Sequence, residues 1–231
     1  MNPSDRYLVA GCRPWNRVLF ETKMASWPGT WRFVGARDDL TPDLVRRWDP
    51  RFIFLLHWSW LLPREIWEGW ECIGFHMGNL PRDRGGSPLQ NLILEGRKST
   101  RLNAFRIVKE LDAGPIYLYR DLSLDGSAEE IYRRAGELSG DMIRQIVDRR
   151  PEPVPQAGTP SYFRRRRPEE SHVPAGLSLE EMFDFIRMLD AEGYPRAYLE
   201  AGGFRFTLSE ATLEGGHLKA QVAISRPEGQ E

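Results

Sequence analysis

The sequence predicts an α/β fold: a Rossmann-like, mostly parallel sheet wound with helices, followed by a small C-terminal helix-and-hairpin subdomain. Three observations predict it. Short apolar runs recur at 7–12, 31–35, 51–56 and 72–76, each the length of a buried strand. Segments with helix signals separate them, so the order reads β-α-β-α-β-α-β, the pattern of a parallel sheet covered by helices. After Ser178, a capped helix leads into two short runs punctuated by glycine pairs at 202–203 and 215–216. The expected organisation is one domain over 1–150, a proline- and arginine-rich connector over 151–176, and a small subdomain over 177–231.

Each element has a local reason. The run from Tyr7 to Cys12 is a buried strand. Trp15, Val18, Leu19 and Phe20 follow at helical spacing, and Trp27-Pro28-Gly29 stops the helix. After the strand at 31–35, Thr41 is an N-cap and Pro42 takes the first helical position. The run at 51–56 has the continuous hydrophobicity of a strand covered on both faces. A short helix over 63–70 precedes the strand at 72–76. Asn79 to Pro88 is rich in Gly, Pro and Arg and reads as a loop, with Ser87 as the expected cap of a helix ending at Gly96. Strands are expected at 103–108 and 116–119, joined by the tight loop Glu110-Leu111-Asp112-Ala113-Gly114-Pro115. Ser127 and Glu130 form a capping box for an amphipathic helix over 127–147, whose apolar face carries Ile131, Ala135, Leu138, Met142, Ile143 and Ile146. Ser178 and Glu181 repeat the device ahead of Met182, Phe185, Ile186 and Leu189.

Composition excludes several functions. A chain of 231 residues can bury roughly 70% of its unfolded surface, so it needs no disulfide or metal staple. Lys plus Arg number 32 against 33 Asp plus Glu, a net charge of -1, which argues against coating a polyanion. Mean hydropathy is -0.50, and no apolar run reaches the ~18 residues of a membrane span. The first residues are polar and lack a signal-peptide apolar stretch. Cys12 and Cys72 sit in apolar runs and read as buried free thiols of a reducing compartment. Together these features lead to the expectation of a cytoplasmic protein with no membrane partner and no metal. All eight tryptophans fall between residues 15 and 70, a skew read as core packing.

His76 ends a strand and opens the Gly/Pro/Arg-rich loop. In open parallel sheets, ligands bind beyond the carboxyl ends of the strands, and a histidine there can move protons near neutral pH. A core histidine bonded to backbone explains it equally well on its own. Its neighbours change that balance. The stretch runs His76-Met77-Gly78-Asn79-Leu80-Pro81-Arg82-Asp83-Arg84-Gly85-Gly86-Ser87-Pro88, and Asp112-Ala113-Gly114 follows. This combination resembles the formyltransferase family that uses 10-formyltetrahydrofolate, with its Asn-x-His, Leu-Pro, Arg-Gly-(Gly/Ala)-(Ser/Ala)-Pro and later Asp-x-Gly. The resemblance covers about residues 50–147. Pro155-Gln156 and Ser161-Tyr162-Phe163 look like the segment that leaves the family's catalytic domain.

The resemblance implies a chemistry. An amine attacks a formamide carbonyl, so the site must stabilise an oxyanion and carry a proton from the amine to folate N10. It implies that His76 takes the family's histidine role and Asp112 the carboxylate that orients it. It also implies a pterin slot walled by His57, Trp60, Leu61 and Leu62 at one strand end and by Leu111 and Gly114 in the 111–116 loop. Arg84 faces either a ligand anion or loop carbonyls, and Trp58 and Trp60 either stack on the ligand or pack the core. The sequence departs from the family at one position: Gly74 stands where relatives carry the asparagine. Asn79 is either the substitute amide or an ordinary turn residue; water or substrate filling the gap, a folate-binding domain without transfer, and formyl-folate hydrolysis are the alternatives. The expected co-substrate is 10-formyltetrahydrofolate and the expected acceptor a nucleotide-linked amino sugar, with a methionyl-tRNA-type or other small-amine acceptor as the alternative. The short tail and neutral charge make tRNA the disfavoured partner. The run Arg164–Arg167 reads as a solvated face or a phosphate contact.

Overall fold

The computed structural model describes residues 4–227. They divide into two units that interleave along the chain and so do not follow linear boundaries. Among the described residues, the first comprises 4–85, 101–122 and 133–162, and the second 86–100, 123–132 and 163–227.

The first unit is built on a six-stranded sheet. Its strands are β1 (Arg6–Gly11), β2 (Thr30–Val34), β3 (Phe52–Leu56), β4 (Cys72–Met77), β6 (Ser99–Arg106) and β7 (Ile116–Ser123), in the order β2-β1-β3-β4-β6-β7. β2, β1, β3 and β4 are parallel, as the alternation requires. β6 runs antiparallel to β4, pairing Gly74 with Phe105 and His76 with Asn103. Helices α1 (Pro14–Thr22), α2 (Pro42–Trp48) and α3 (Arg64–Gly69) fill the crossovers between the parallel strands. Thr41 caps α2 by accepting the Leu44 N–H at 3.1 Å. α1 lies so close to the end of β1 that a Cβ on Gly11 would stand 2.7 Å from that of Asn16.

Tyr7, Leu8, Val9 and Ala10 of β1 and all of β3 are buried, which explains their unbroken hydrophobicity. Full burial of each large apolar side chain contributes ~1.5–3 kcal/mol. The tryptophan skew has a packing cause. Trp31 stacks on Tyr7 at 4.4 Å and on Phe54 at 6.3 Å, with the Trp27 edge against it. The Trp48 indole donates to the Tyr7 carbonyl. Helix α5 (Ala128–Arg149) buries Ile131, Ala135, Met142, Ile143 and Ile146, as its stripe predicts.

Two small elements complete the frame near the sheet's end. Strands β5 (Arg84–Gly85) and β8 (Tyr162–Phe163) form a two-stranded ladder, in which the Arg84 N–H donates to the Ser161 carbonyl at 3.0 Å.

In the second unit, helix α6 (Leu179–Arg187) starts from the Ser178/Glu181 capping box. It packs on β10 (Phe204–Glu214) of an antiparallel sheet in the order β11-β10-β9. β11 spans His217–Ser225; β9 (Tyr198–Ala201) is an extra strand hidden in sequence by its short, half-exposed run. Helix α4 (Pro88–Leu94) corrects one expectation. Ser87 has φ 49° and makes no side-chain cap bond; its hydroxyl accepts the Arg166 N–H instead. Among the described residues, no helix is long and apolar enough to cross a membrane, no His/Cys/Asp/Glu group could hold a metal, and both cysteines are free.

Candidate functional site

The strongest candidate site lies wholly in the first unit, where β4 ends. His76 is 7% exposed. Its Nε2 lies 2.6 Å from the Asp83 carbonyl oxygen. A carbonyl only accepts, so this contact assigns a proton to Nε2. Nδ1 faces the Asp112 carboxylate, 3.6 Å from Oδ2. That gap exceeds a hydrogen bond and lies within ion-pair range. Nδ1 is therefore the ring nitrogen that faces the carboxylate.

The carboxylate is held from several sides. Asp112 has φ 52°, a turn conformation that aspartate tolerates, and its Oδ2 accepts the Gly85 N–H at 2.9 Å. The Gln156 amide donates to the carbonyls of Asp112 and Gly114, both at 2.8 Å. Gly114 is required for close approach, because a Cβ there would stand 1.7 Å from the Arg106 carbonyl oxygen. The Gln156 carbonyl in turn accepts from Arg84 Nε at 3.3 Å and Nη2 at 2.7 Å, while Arg84 Nη1 donates to the Tyr162 hydroxyl.

The loop after His76 folds back on Asp83, which has φ 62° and is 2% exposed. Its carboxylate accepts the Asn79 N–H, and its own N–H donates to the Ser161 hydroxyl. Asn103, opposite His76 on β6, donates to the carbonyls of Gly78 at 2.5 Å and His76 at 3.2 Å. It ties down the end of β4.

The structure therefore joins His76, Asp112, Gly114 and Arg84 in one network. Of the two readings of Arg84, a ligand contact or structural bonding, the bonds present are structural: the buried guanidinium donates to Gln156 and Tyr162. Asn79 enters the network through its backbone, and its side chain is exposed. His57 follows β3 with φ 52°; its carbonyl accepts the Cys12 thiol, and its ring meets the Trp15 edge. Burial, then the Arg13 charge, pushes its imidazole pKa down to about 3, so it is neutral at physiological pH. Trp60 meets Trp58 edge-on and is half-exposed; Leu61 is 85% and Leu111 52% exposed. Leu62 and Trp58 are partly buried and pack against the core.

Sequence reasoning missed Asp83, Asn103 and, as a bridging residue, Gln156. Asp83 stood inside the motif and was the findable one. Gly74 also gains a physical reading. A Cβ there would stand 2.8 Å from Ile107 Cδ1 and 3.1 Å from Phe105 Cε1. Phe105, edge-on to His76 with ring centroids 6.5 Å apart, fills the space beside the histidine. The Arg164–Arg167 run lies in the second unit, where Arg164 pairs with Glu170 and the Arg166 guanidinium covers Phe185.

The family model for the methionyl-tRNA formyltransferase C-terminal domain matches residues 168–225. The methionyl-tRNA formyltransferase of Thermodesulfovibrio yellowstonii is 26% identical over 159 residues, covering 65% of this chain and 52% of that one. The chain spans about half the length of the curated relatives it matches. The solved methionyl-tRNA formyltransferase from Clostridium thermocellum superposes with a TM-score of 0.91 and 38% identity, covering 96% of this chain and 100% of the other. A 4-N formyltransferase from Francisella tularensis shares the fold, with a TM-score of 0.67 and 14% identity over 95% of this chain and 97% of its own. These similarities overturn the expectation that tRNA is a disfavoured partner. A short tail does not separate this chain from the Clostridium thermocellum relative named for methionyl-tRNA, whose whole length it covers.

Proposed function

Because the chain belongs to the formyltransferase family that includes the methionyl-tRNA formyltransferases, we propose that it transfers a formyl group from 10-formyltetrahydrofolate to a primary amine, with the amino group of an aminoacyl-tRNA as acceptor. The observation that carries the reading is the buried His76–Asp112 pair, 3.6 Å apart, with the other imidazole nitrogen fixed by the Asp83 carbonyl. The similarity to proteins named for methionyl-tRNA supports the acceptor class.

The reaction balances without an oxidant. The amine nitrogen bonds to the formyl carbon, the bond from that carbon to folate N10 breaks, and the proton lost by the amine equals the one N10 gains. The residues of this chain supply the proton path. His76 Nδ1 takes a proton, and Asp112, anchored by Gly85 and by its Gln156-held loop, stabilises the imidazolium that results. Trp60, Leu61 and Leu111 are exposed apolar side chains, of the kind that covers the flat ring of the proposed folate co-substrate.

The test is incubation with 10-formyltetrahydrofolate and charged methionyl-tRNA, with formylmethionine read by mass after the ester is hydrolysed. Formylation of the aminoacyl-tRNA supports the proposal. Saturable folate binding with transfer only to amino sugars would replace the acceptor. Release of formate with no acceptor would replace transfer by hydrolysis.

A further inference from the structure

An open cleft of about 290 Å³ lies in the first unit, lined among others by Leu80, Arg101, Asn103, Tyr117, Tyr119 and Gln156. The Arg101 guanidinium carbon sits 4.2 Å from the centroid of the Tyr119 ring, and both side chains are exposed. From this arrangement we propose that the cleft is an acceptor subsite for a flat ring carrying an anionic group, a nucleotide, with the Tyr119-backed Arg101 as its recognition element. The inference rests on the formyl-transfer reading for its biological meaning.

Three features carry it. First, the guanidinium sits over the Tyr119 ring on an exposed arginine, a pairing of cation and aromatic ring that suits a ligand with a flat ring and a phosphate. Second, the cleft shares its wall with the chemistry. Asn103 bonds the carbonyls of His76 and Gly78, and Gln156 bonds the carbonyl of Asp112. A ligand seated there extends from the same groups that hold the dyad. Third, the lining includes none of His57, Trp60, Leu61, Leu62 and Leu111, the positions expected to face the folate. The cleft is therefore available to the acceptor while the folate side is in use.

The experiment titrates the full chain with AMP, inorganic phosphate and tetrahydrofolate, for the native protein and for Arg101→Gln and Tyr119→Leu. Circular dichroism confirms that both variants fold. AMP is expected to bind saturably and more tightly than phosphate. Each variant should weaken AMP by roughly tenfold, the scale of one charge-assisted hydrogen bond, with tetrahydrofolate binding unchanged. In turnover, the acceptor KM should rise more than kcat falls. AMP affinity equal in the native protein and both variants, or no AMP binding at all, overturns the subsite. Loss of tetrahydrofolate binding in the variants also overturns it, because the cleft then holds the folate tail. Failure of formyl transfer itself would register as absent turnover in the native protein and leave the AMP titration readable.

Discussion

Gln156 offers the most exposing perturbation, because one amide serves both halves of the network. Gln156→Leu removes two bonds of 2.8 Å to the carbonyls of Asp112 and Gly114. It also removes the acceptor for Arg84 Nε and Nη2. Two ordinary hydrogen bonds contribute ~1 kcal/mol each, and a buried guanidinium left short of an acceptor costs a further ~1–3 kcal/mol. Gln156 is itself half-buried, so water recovers part of this, and a loss of about 2–4 kcal/mol is expected. For a chain of this size that corresponds to a fall in Tm of ~4–16 °C, at ~2–4 °C per kcal/mol. Freed from Gln156, the 112–114 loop lets the carboxylate drift, and a misplacement of ~1 Å can cost ~10²-fold in rate. Gln156→Glu separates the two effects. It keeps an acceptor for Arg84 but faces two carbonyls with a carboxylate, so stability should fall less and turnover at least as much. Thermal melts and steady-state kcat of both variants make the check. A Gln156→Leu enzyme that melts lower but turns over at the native rate would refute the positioning argument.

Other expectations follow from the same geometry. His76→Ala and Asp112→Ala should each lower kcat by ~10²-fold or more, and the double variant should be little worse than either single one because the pair acts as a unit; single-turnover rates would show it. Gly114→Ala should destabilise the chain severely, since its Cβ would stand 1.7 Å from the Arg106 carbonyl oxygen; recovery of soluble, cooperatively melting protein in native yield would contradict the close approach. His57 titrates at about 3 in the folded chain and ~6.5 unfolded, so its neutral burial stabilises the fold above pH ~6.5 and that stability is lost as pH falls from ~6.5 toward 3. Urea midpoints at pH 7.5 and 5 should therefore converge in His57→Asn, a substitution that keeps the positive φ accessible. Gly74→Asn alone should destabilise, because Ile107 Cδ1 lies 2.8 Å from the new Cβ. Ile107→Ala should relieve it, and equal losses in both backgrounds would show that Ile107 is not the obstacle.

How much was legible depends on whether a signal is local. The four parallel strands, the Thr41 cap and the capping boxes at Ser127 and Ser178 came from contiguous patterns, and the structure places them as expected. β6 and β9 were harder. β6 begins at Ser99 rather than 103 because its first residues, Ser99, Thr100 and Arg101, are polar although exposed and buried positions alternate among them, and β9 carries four residues of mixed exposure. The Ser87 cap failed for a tertiary reason: the Arg166 N–H competes for the hydroxyl, and the residue's positive φ points it away from the helix.

The site shows the same division. A loop motif and a spaced Asp-x-Gly single out His76 and Asp112 in the sequence, and the structure brings the two within 3.6 Å. Their supports are contributed by segments far apart in sequence: Asn103 across the sheet, Gly85 in the motif's own turn, and Gln156 in the connector. Spacing along a chain cannot announce such partners, since each is an ordinary residue locally and acquires meaning only by what it faces. Gly74 makes the point most sharply. In sequence it is a missing side chain. In the structure it is a packing solution, because Phe105 on the antiparallel neighbour and Ile107 just beyond occupy the room beside His76. A glycine on β4 and bulky residues on and after β6 are one choice made twice, so restoring the amide requires changing both partners. In the proposed transfer the donor to the oxyanion lies outside position 74, and the sequence expectation places it on Asn79, whose side chain is exposed on the loop that Asp83 folds back.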